Sequence, residues 1–131
     1  MTAKRIAVMG TGASGASIGA DLTRAGLDVT FIEQWPAHVE AMRAKGIRIE
    51  MPEQTHTTPV RAYDLCQAAN LQETFDIVLI VVKAYDTRWA CELIKPLTSP
   101  TGLVVGMQNG MTTDDIASIM GPERTLGAVV E

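Results

Sequence analysis

Apolar residues change their spacing along this chain so as to predict strands and helices in alternation. Ile6 to Met9 is a short unbroken apolar run, as a parallel strand buried on both faces requires. Ile18, Leu22 and Ala25 then recur at helical spacing, and Gly26 can end that helix. A second strand follows over Asp28 to Glu33. Pro36 suits the first turn of a helix, which Ala37 to Lys45 continues with Val39 and Met42 inward and Gly46 as its stop. Ile47 to Met51 alternates apolar and charged residues, as a half-exposed strand does.

Pro52 to Thr58 is polar and without period. Thr58 to Ala62 is expected to be a strand paired with Ile47 to Met51 in a peripheral hairpin, and Tyr63 to Asn70 a short helix. Phe75 to Lys83 contains Ile77-Val78-Leu79-Ile80-Val81-Val82, nearly all β-branched, and predicts a central parallel strand. Asp86 to Leu97 is helical, with Trp89, Leu93 and Ile94 on one face and Pro96 and Pro100 closing it. Leu103 to Met107 is the next strand, Thr113 a cap for a helix over Asp114 to Met120, and Thr125 to Glu131 a last strand. Such alternation predicts an α/β fold with a doubly wound, mainly parallel sheet and right-handed crossovers.

The first strand runs directly into Gly10-Thr11-Gly12-Ala13-Ser14-Gly15, a G-x-G-x-x-G placed between strand and helix. Gly10 allows a tight turn, Gly12 lets the backbone approach a diphosphate, and Gly15 lets the helix pack close to the strand. The helix N-terminus adds free N–H groups and partial positive charge, so the turn is an anion site suited to a dinucleotide and the predicted fold is of the Rossmann dinucleotide-binding type. Glu33, closing the second strand, is placed to accept both hydroxyl protons of an adenosine ribose. That favours NADH, because Gln34 and Trp35 offer no arginine for a 2′-phosphate. Arg61 is the one nearby cation whose position the sequence leaves open.

Ligands of doubly wound sheets bind beyond the carboxyl ends of the strands. Lys83 and Asn109 end the two later central strands and are expected to project into the same crevice.

At 131 residues the chain predicts a single domain, residues 1–131. Hydrophobic residues make up 47% and charged residues 20%, which excludes disorder as the main state. A net charge of −4 argues against nucleic acid or an anionic membrane as partner. Without a long apolar run or a signal-peptide pattern, a cytoplasmic location is the expectation. Cys66 and Cys91 are expected to be buried free thiols. His38, on a predicted helix, and His56, in a polar loop, stand alone, so no metal site is predicted.

Together, the glycine turn, Val82-Lys83-Ala84-Tyr85 and Gln108-Asn109-Gly110-Met111 give the chain a resemblance to ketopantoate reductase, 2-dehydropantoate 2-reductase, over nearly its whole length. The resemblance implies a nicotinamide cofactor, with NADPH the family habit, and reduction of a 2-oxo acid to a 2-hydroxy acid. It implies that Lys83 and Asn109 help hold the cofactor and face the substrate. It further implies a helical second domain that carries the principal catalytic lysine and that these residues do not include. No catalytic residue is therefore assigned here with certainty, and the chain by itself is expected to bind dinucleotide, turn over poorly and self-associate, as a homodimer for example. Two alternatives stay open: a nucleotide-sensing binding module, and a dehydrogenase of the same fold acting on a sugar phosphate or an amino acid.

Overall fold

Residues that are apolar on both faces of a strand need helices on both sides of the sheet, and that requirement sets the architecture. In a computed structural model, which describes residues 4–108 and 112–129, six parallel strands form one sheet. In chain order they are β1 (Arg5–Met9), β2 (Asp28–Ile32), β5 (Arg61–Tyr63), β6 (Phe75–Ile80), β7 (Thr98–Met107) and β8 (Thr125–Ala128). Their spatial order is β5-β2-β1-β6-β7-β8. β3 (Ile47–Glu50) and β4 (Thr55–Thr58) make a separate antiparallel hairpin. The helices are α1 (Ala13–Arg24), α2 (Pro36–Lys45), α3 (Leu65–Ala69), α4 (Thr87–Ile94) and α5 (Thr113–Met120).

Two apolar layers flank the sheet. Val8, Val29 and Phe31 pack with Ala20 of α1 and Val39 and Met42 of α2. Ala7, Met9, Val78 and Ile80 pack on the other side with Ala90, Cys91 and Ile94 of α4 and Ile116 and Met120 of α5. Neighbouring β1 residues thus serve opposite layers, as the two-residue period of a strand dictates. The chain leaves β1 toward β2 and later returns on its other side through β6, so the strand order reverses between β1 and β6. A crevice at their carboxyl ends follows from that reversal.

Several boundaries depart from the sequence expectation. The hairpin partner of Ile47–Glu50 is Thr55–Thr58 and not Thr58 to Ala62; Ile47 pairs with Thr58 and Glu50 with Thr55. The segment Thr-His-Thr-Thr reads as polar, yet its β-branched threonines suit a pleated surface, and His56 therefore lies on a strand opposite Ile49. After Pro59, Arg61–Tyr63 joins the main sheet beside β2. The short helix begins at Leu65, where Asp64 and Gln67 form a reciprocal capping box.

β6 ends at Ile80, short of Lys83, because Val81 donates its N–H to the Met9 carbonyl and β1 then turns away at Gly10. β7 begins at Thr98, and a register shift absorbs the extra residues between the Phe75–Thr98 and Ile77–Leu103 pairs. Pro96 ends α4, so Lys95–Leu97 is a 3₁₀ turn and not a continuation of the α-helix. Thr112, and not Thr113, stands at the N-cap of α5, and its hydroxyl is used elsewhere. Leu126 is exposed on the edge strand β8; Val130 and Glu131, expected to extend that strand, lie outside the described residues. No helix among the described residues is long and apolar enough to cross a membrane.

Cys91 is buried as expected, but Cys66 is exposed on α3, whose single turn has only one buried residue, Ala68. Burial, helped by the negative charges of Glu92 and Asp115, pushes the Cys91 thiol from 9.0 up to about 11. A thiol reagent at about pH 8 is therefore expected to label Cys66 alone in the folded chain. Cys91 also has a pH signature. Its folded-state value lies above the unfolded one, so its stabilising contribution is complete below pH 9.0 and is lost as the pH rises toward about 11. Denaturant titrations of the parent and Cys91→Ala should converge across that window, and a constant difference would contradict the assignment.

Candidate dinucleotide site

Gly10 has φ +102, a backbone conformation that a side chain would strain, and its N–H donates to the Ile32 carbonyl at 2.9 Å. That turn carries the chain from β1 to α1 across the end of β2. A Cβ on Gly15 would collide with the Gly10 carbonyl oxygen, so the second half of the motif is fixed by close packing of helix on turn. Gly12 is different. A Cβ there would meet nothing within 4 Å, and its φ of −67 suits any residue. The protein therefore has no internal use for a glycine at this position. Open space in front of Gly12 is what a cradle for an approaching phosphate requires.

Gly12 is also the N-cap of α1, where no side chain caps the first-turn N–H groups and no acidic residue stands in the first turn. α5, in contrast, begins with Asp114 and Asp115. The N-terminus of α1 thus keeps its positive end free for an external anion.

Glu33 is buried, and a buried carboxylate needs donors. Oε1 accepts from the Thr11 N–H at 3.0 Å and from the Thr11 hydroxyl at 2.6 Å, and Oε2 accepts from the Trp35 N–H at 3.0 Å. These bonds tie the glycine turn to the start of α2. Of roughly four acceptor positions on a carboxylate, one remains. Three donors from the chain itself thus already face the carboxylate that the sequence assigned to the ribose hydroxyls.

The far wall is built from β6 and β7. Gln108 donates through Nε2 to the Val82 carbonyl at 2.7 Å and to the Thr87 hydroxyl at 2.9 Å, and its Oε1 accepts from the Thr112 hydroxyl at 2.6 Å. One buried amide therefore locks the ends of two strands and the starts of α4 and α5. Its role was not read from the sequence, where it was only the first residue of the Q-N-G-M stretch. Lys83 lies just past the end of β6, is exposed, and lines the crevice. Asn109 lies outside the described residues.

The crevice holds about 770 Å³, and Gly10, Thr11, Gly12, Ala13, Ser14, Glu33 and Lys83 all line it. Gly15 does not; its place is against the turn. Arg61 does not line it: its guanidinium pairs with Asp28 at 2.7 Å, and Asp28 opens β2 at the opposite end of the sheet.

The geometry has a counterpart among known proteins. Residues 6–131 match the model of the family described as ketopantoate reductase PanE/ApbA. The chain belongs to this family. It is 30% identical over 111 residues to the 2-dehydropantoate 2-reductase of Lactococcus lactis, covering 85% of this chain and 35% of that protein. The crystal structure of 2-dehydropantoate 2-reductase from Geobacter metallireducens superposes with a TM-score of 0.82 at 32% identity, over 94% of this chain and 40% of that one. D-mandelate dehydrogenase, solved with NADH and anilino(oxo)acetate, shares the fold at a TM-score of 0.86 and 21% identity, over 95% of this chain and 40% of that one. This chain thus spans less than half the length of the ketopantoate reductases it matches.

Because Gly12 faces open space, substitutions there separate ligand binding from folding. Gly12→Ala and Gly12→Val should change thermal stability little, whereas Gly12→Val should weaken dinucleotide binding by at least about a hundredfold, roughly 2.7 kcal/mol. Calorimetric titration alongside thermal unfolding checks both. Unchanged affinity in Gly12→Val would show that the turn cradles no phosphate.

Proposed function

We propose that this chain is the dinucleotide-binding part of an NAD(P)H-dependent reductase that converts a 2-oxo acid to a 2-hydroxy acid, with 2-dehydropantoate as the leading substrate. The observation that carries the proposal is the free N-terminus of α1 behind the open Gly12 position, set at the point where the strand order reverses. Gly10, Thr11, Gly12, Ala13 and Ser14 form the diphosphate cradle, with Gly15 shaping it from behind. Glu33 offers its remaining acceptor position to an adenosine ribose hydroxyl. Lys83 serves the nicotinamide and substrate side, a role that the family resemblance extends to Asn109. A reduced nicotinamide, when bound, supplies the hydride. Lys83, a cation with three donors and no acceptor, can hold a carboxylate or carbonyl oxygen of the substrate in line with it. The curated relatives named as 2-dehydropantoate 2-reductases support the substrate class.

We further propose that residues 1–131 form a single dinucleotide-binding domain whose work is binding and orientation, and that the proton donor and most substrate contacts belong to another part of the enzyme. By this account the chain alone turns over poorly. A nucleotide sensor would need the cradle but not a lysine at the reversal of strand order.

Cofactor preference follows from charge. Among the described residues lining the crevice, Lys83 is the only lysine or arginine, and Arg61 is held at the other end of the sheet. A 2′-phosphate would bring about two negative charges toward Glu33 with no neighbouring cation, and such juxtaposition costs several kcal/mol. NADH should bind at least about tenfold tighter than NADPH, a difference of about 1.4 kcal/mol. Glu33→Gln keeps an oxygen for Thr11 but removes the charge, and it should narrow the ratio to about threefold or less. Dissociation constants measured at two salt concentrations check this; a ratio unmoved by the substitution would contradict it.

The reaction itself is tested by following oxidation of NADH and NADPH by the gene's complete product with 2-dehydropantoate and other 2-oxo acids. Turnover with at least one of these acids, reduced at least about tenfold by Lys83→Ala, is the expected result. Tight nucleotide binding without turnover on any 2-oxo acid would favour the sensor.

A further inference from the structure

Trp35 is a large apolar side chain left in the open, at 65% exposure, on the wall of the crevice. An indole offers a flat, largely apolar face with a polar edge, and here that face lines the crevice and not open surface. The backbone that carries this ring is held on both sides. Its N–H donates to Glu33, and its carbonyl accepts from the N–H groups of His38 at 3.0 Å and Val39 at 3.1 Å. Pro36 follows, which confines residue 35 to extended backbone, observed at φ −96 and ψ 106. The indole is therefore an aromatic surface presented from a fixed point.

Its surroundings say what it is presented to. Glu33 Oε2, the atom with acceptor capacity to spare, is the one bonded to the Trp35 N–H. A ribose held there places the base on its C1′ carbon beside residue 35. His38, three residues on and on the same side of the α2 start, lines the same wall. No lysine or arginine stands at this end among the described lining residues, so nothing here is built for a phosphate. A flat neutral ring is the chemistry that fits.

Building on the dinucleotide assignment above, we propose that Trp35 is the platform for the adenine base. Its indole stacks on the purine face, so the base adds affinity to the site, with Glu33 holding the ribose and the α1 N-terminus the diphosphate. Aromatic stacking is tolerant of the exact ring but not of its removal.

The test uses three ligands: NADH, AMP, and reduced nicotinamide mononucleotide, which lacks the adenosine half. Trp35→Ala should weaken NADH and AMP about tenfold, equivalent to about 1.4 kcal/mol, and leave the mononucleotide unchanged. Trp35→Phe should restore most of the loss. Because the ring is exposed, both variants should keep the parental melting temperature, which separates a binding effect from misfolding. Equal NADH affinity in the parent and Trp35→Ala would overturn the platform while leaving the dinucleotide site standing. Equal loss of NADH and mononucleotide, or no recovery in Trp35→Phe, would show that residue 35 acts through the glycine turn. A parent that binds neither NADH nor AMP would overturn both assignments.

Discussion

A carboxylate withdrawn from water must be given hydrogen-bond donors, and Glu33 takes them from the two segments that shape the crevice. Thr11 supplies its N–H and hydroxyl, and Trp35 supplies its N–H. The bonds to a charged acceptor are each worth roughly 1.5–3 kcal/mol. Besides them, the glycine turn is anchored by the Gly10 N–H on Ile32 and by the packing of Gly15. Glu33 therefore ties the glycine turn to the start of α2 and so holds one wall of the crevice.

Across the crevice Gln108 does the corresponding work with a neutral group. Its amide satisfies Val82, Thr87 and Thr112 at once, in a place where unpaired polar atoms would each cost about 1–3 kcal/mol. Glu33 fixes the β1–β2 side and Gln108 the β6–β7 side, and the reversal of strand order lies between them. The two walls of the crevice are thus held by bonds within the chain, so their relative positions hardly depend on a ligand. Preorganisation of this kind lowers the ordering cost of binding.

The parallel core was legible in the sequence because its strands are continuous apolar runs and its helices have clear stops at Gly26, Gly46 and Pro96. The glycine motif was legible for the same reason: each glycine has a separate physical demand, and two of them, Gly10 and Gly15, are met inside the chain itself. What escaped was structure that polarity disguises. Thr55–Thr58 is a strand made of residues that hydropathy counts as loop, and Arg61–Tyr63 is too short to show any period. Cys66 sits on a single-turn helix with little to bury, where composition alone suggested a core thiol. For the site, residue type and position singled out Glu33 and Lys83 as candidates, and both line the crevice. They could not reveal that Glu33 is already three-quarters engaged, or that Gln108 bridges four elements, since both depend on partners distant in the chain.

The central claim is that a dinucleotide enters with its diphosphate on the first turn of α1, between a wall organised by Glu33 and one organised by Gln108. Backbone amide NMR of the chain titrated with NADH addresses it residue by residue. The account predicts that the largest amide shifts fall on Thr11 to Gly15, with a second group at Gln34 and Trp35 and a third at Val82 to Ala84. Saturable binding that leaves the α1 first turn unmoved, with shifts concentrated instead between α2 and the β3–β4 hairpin, would contradict it.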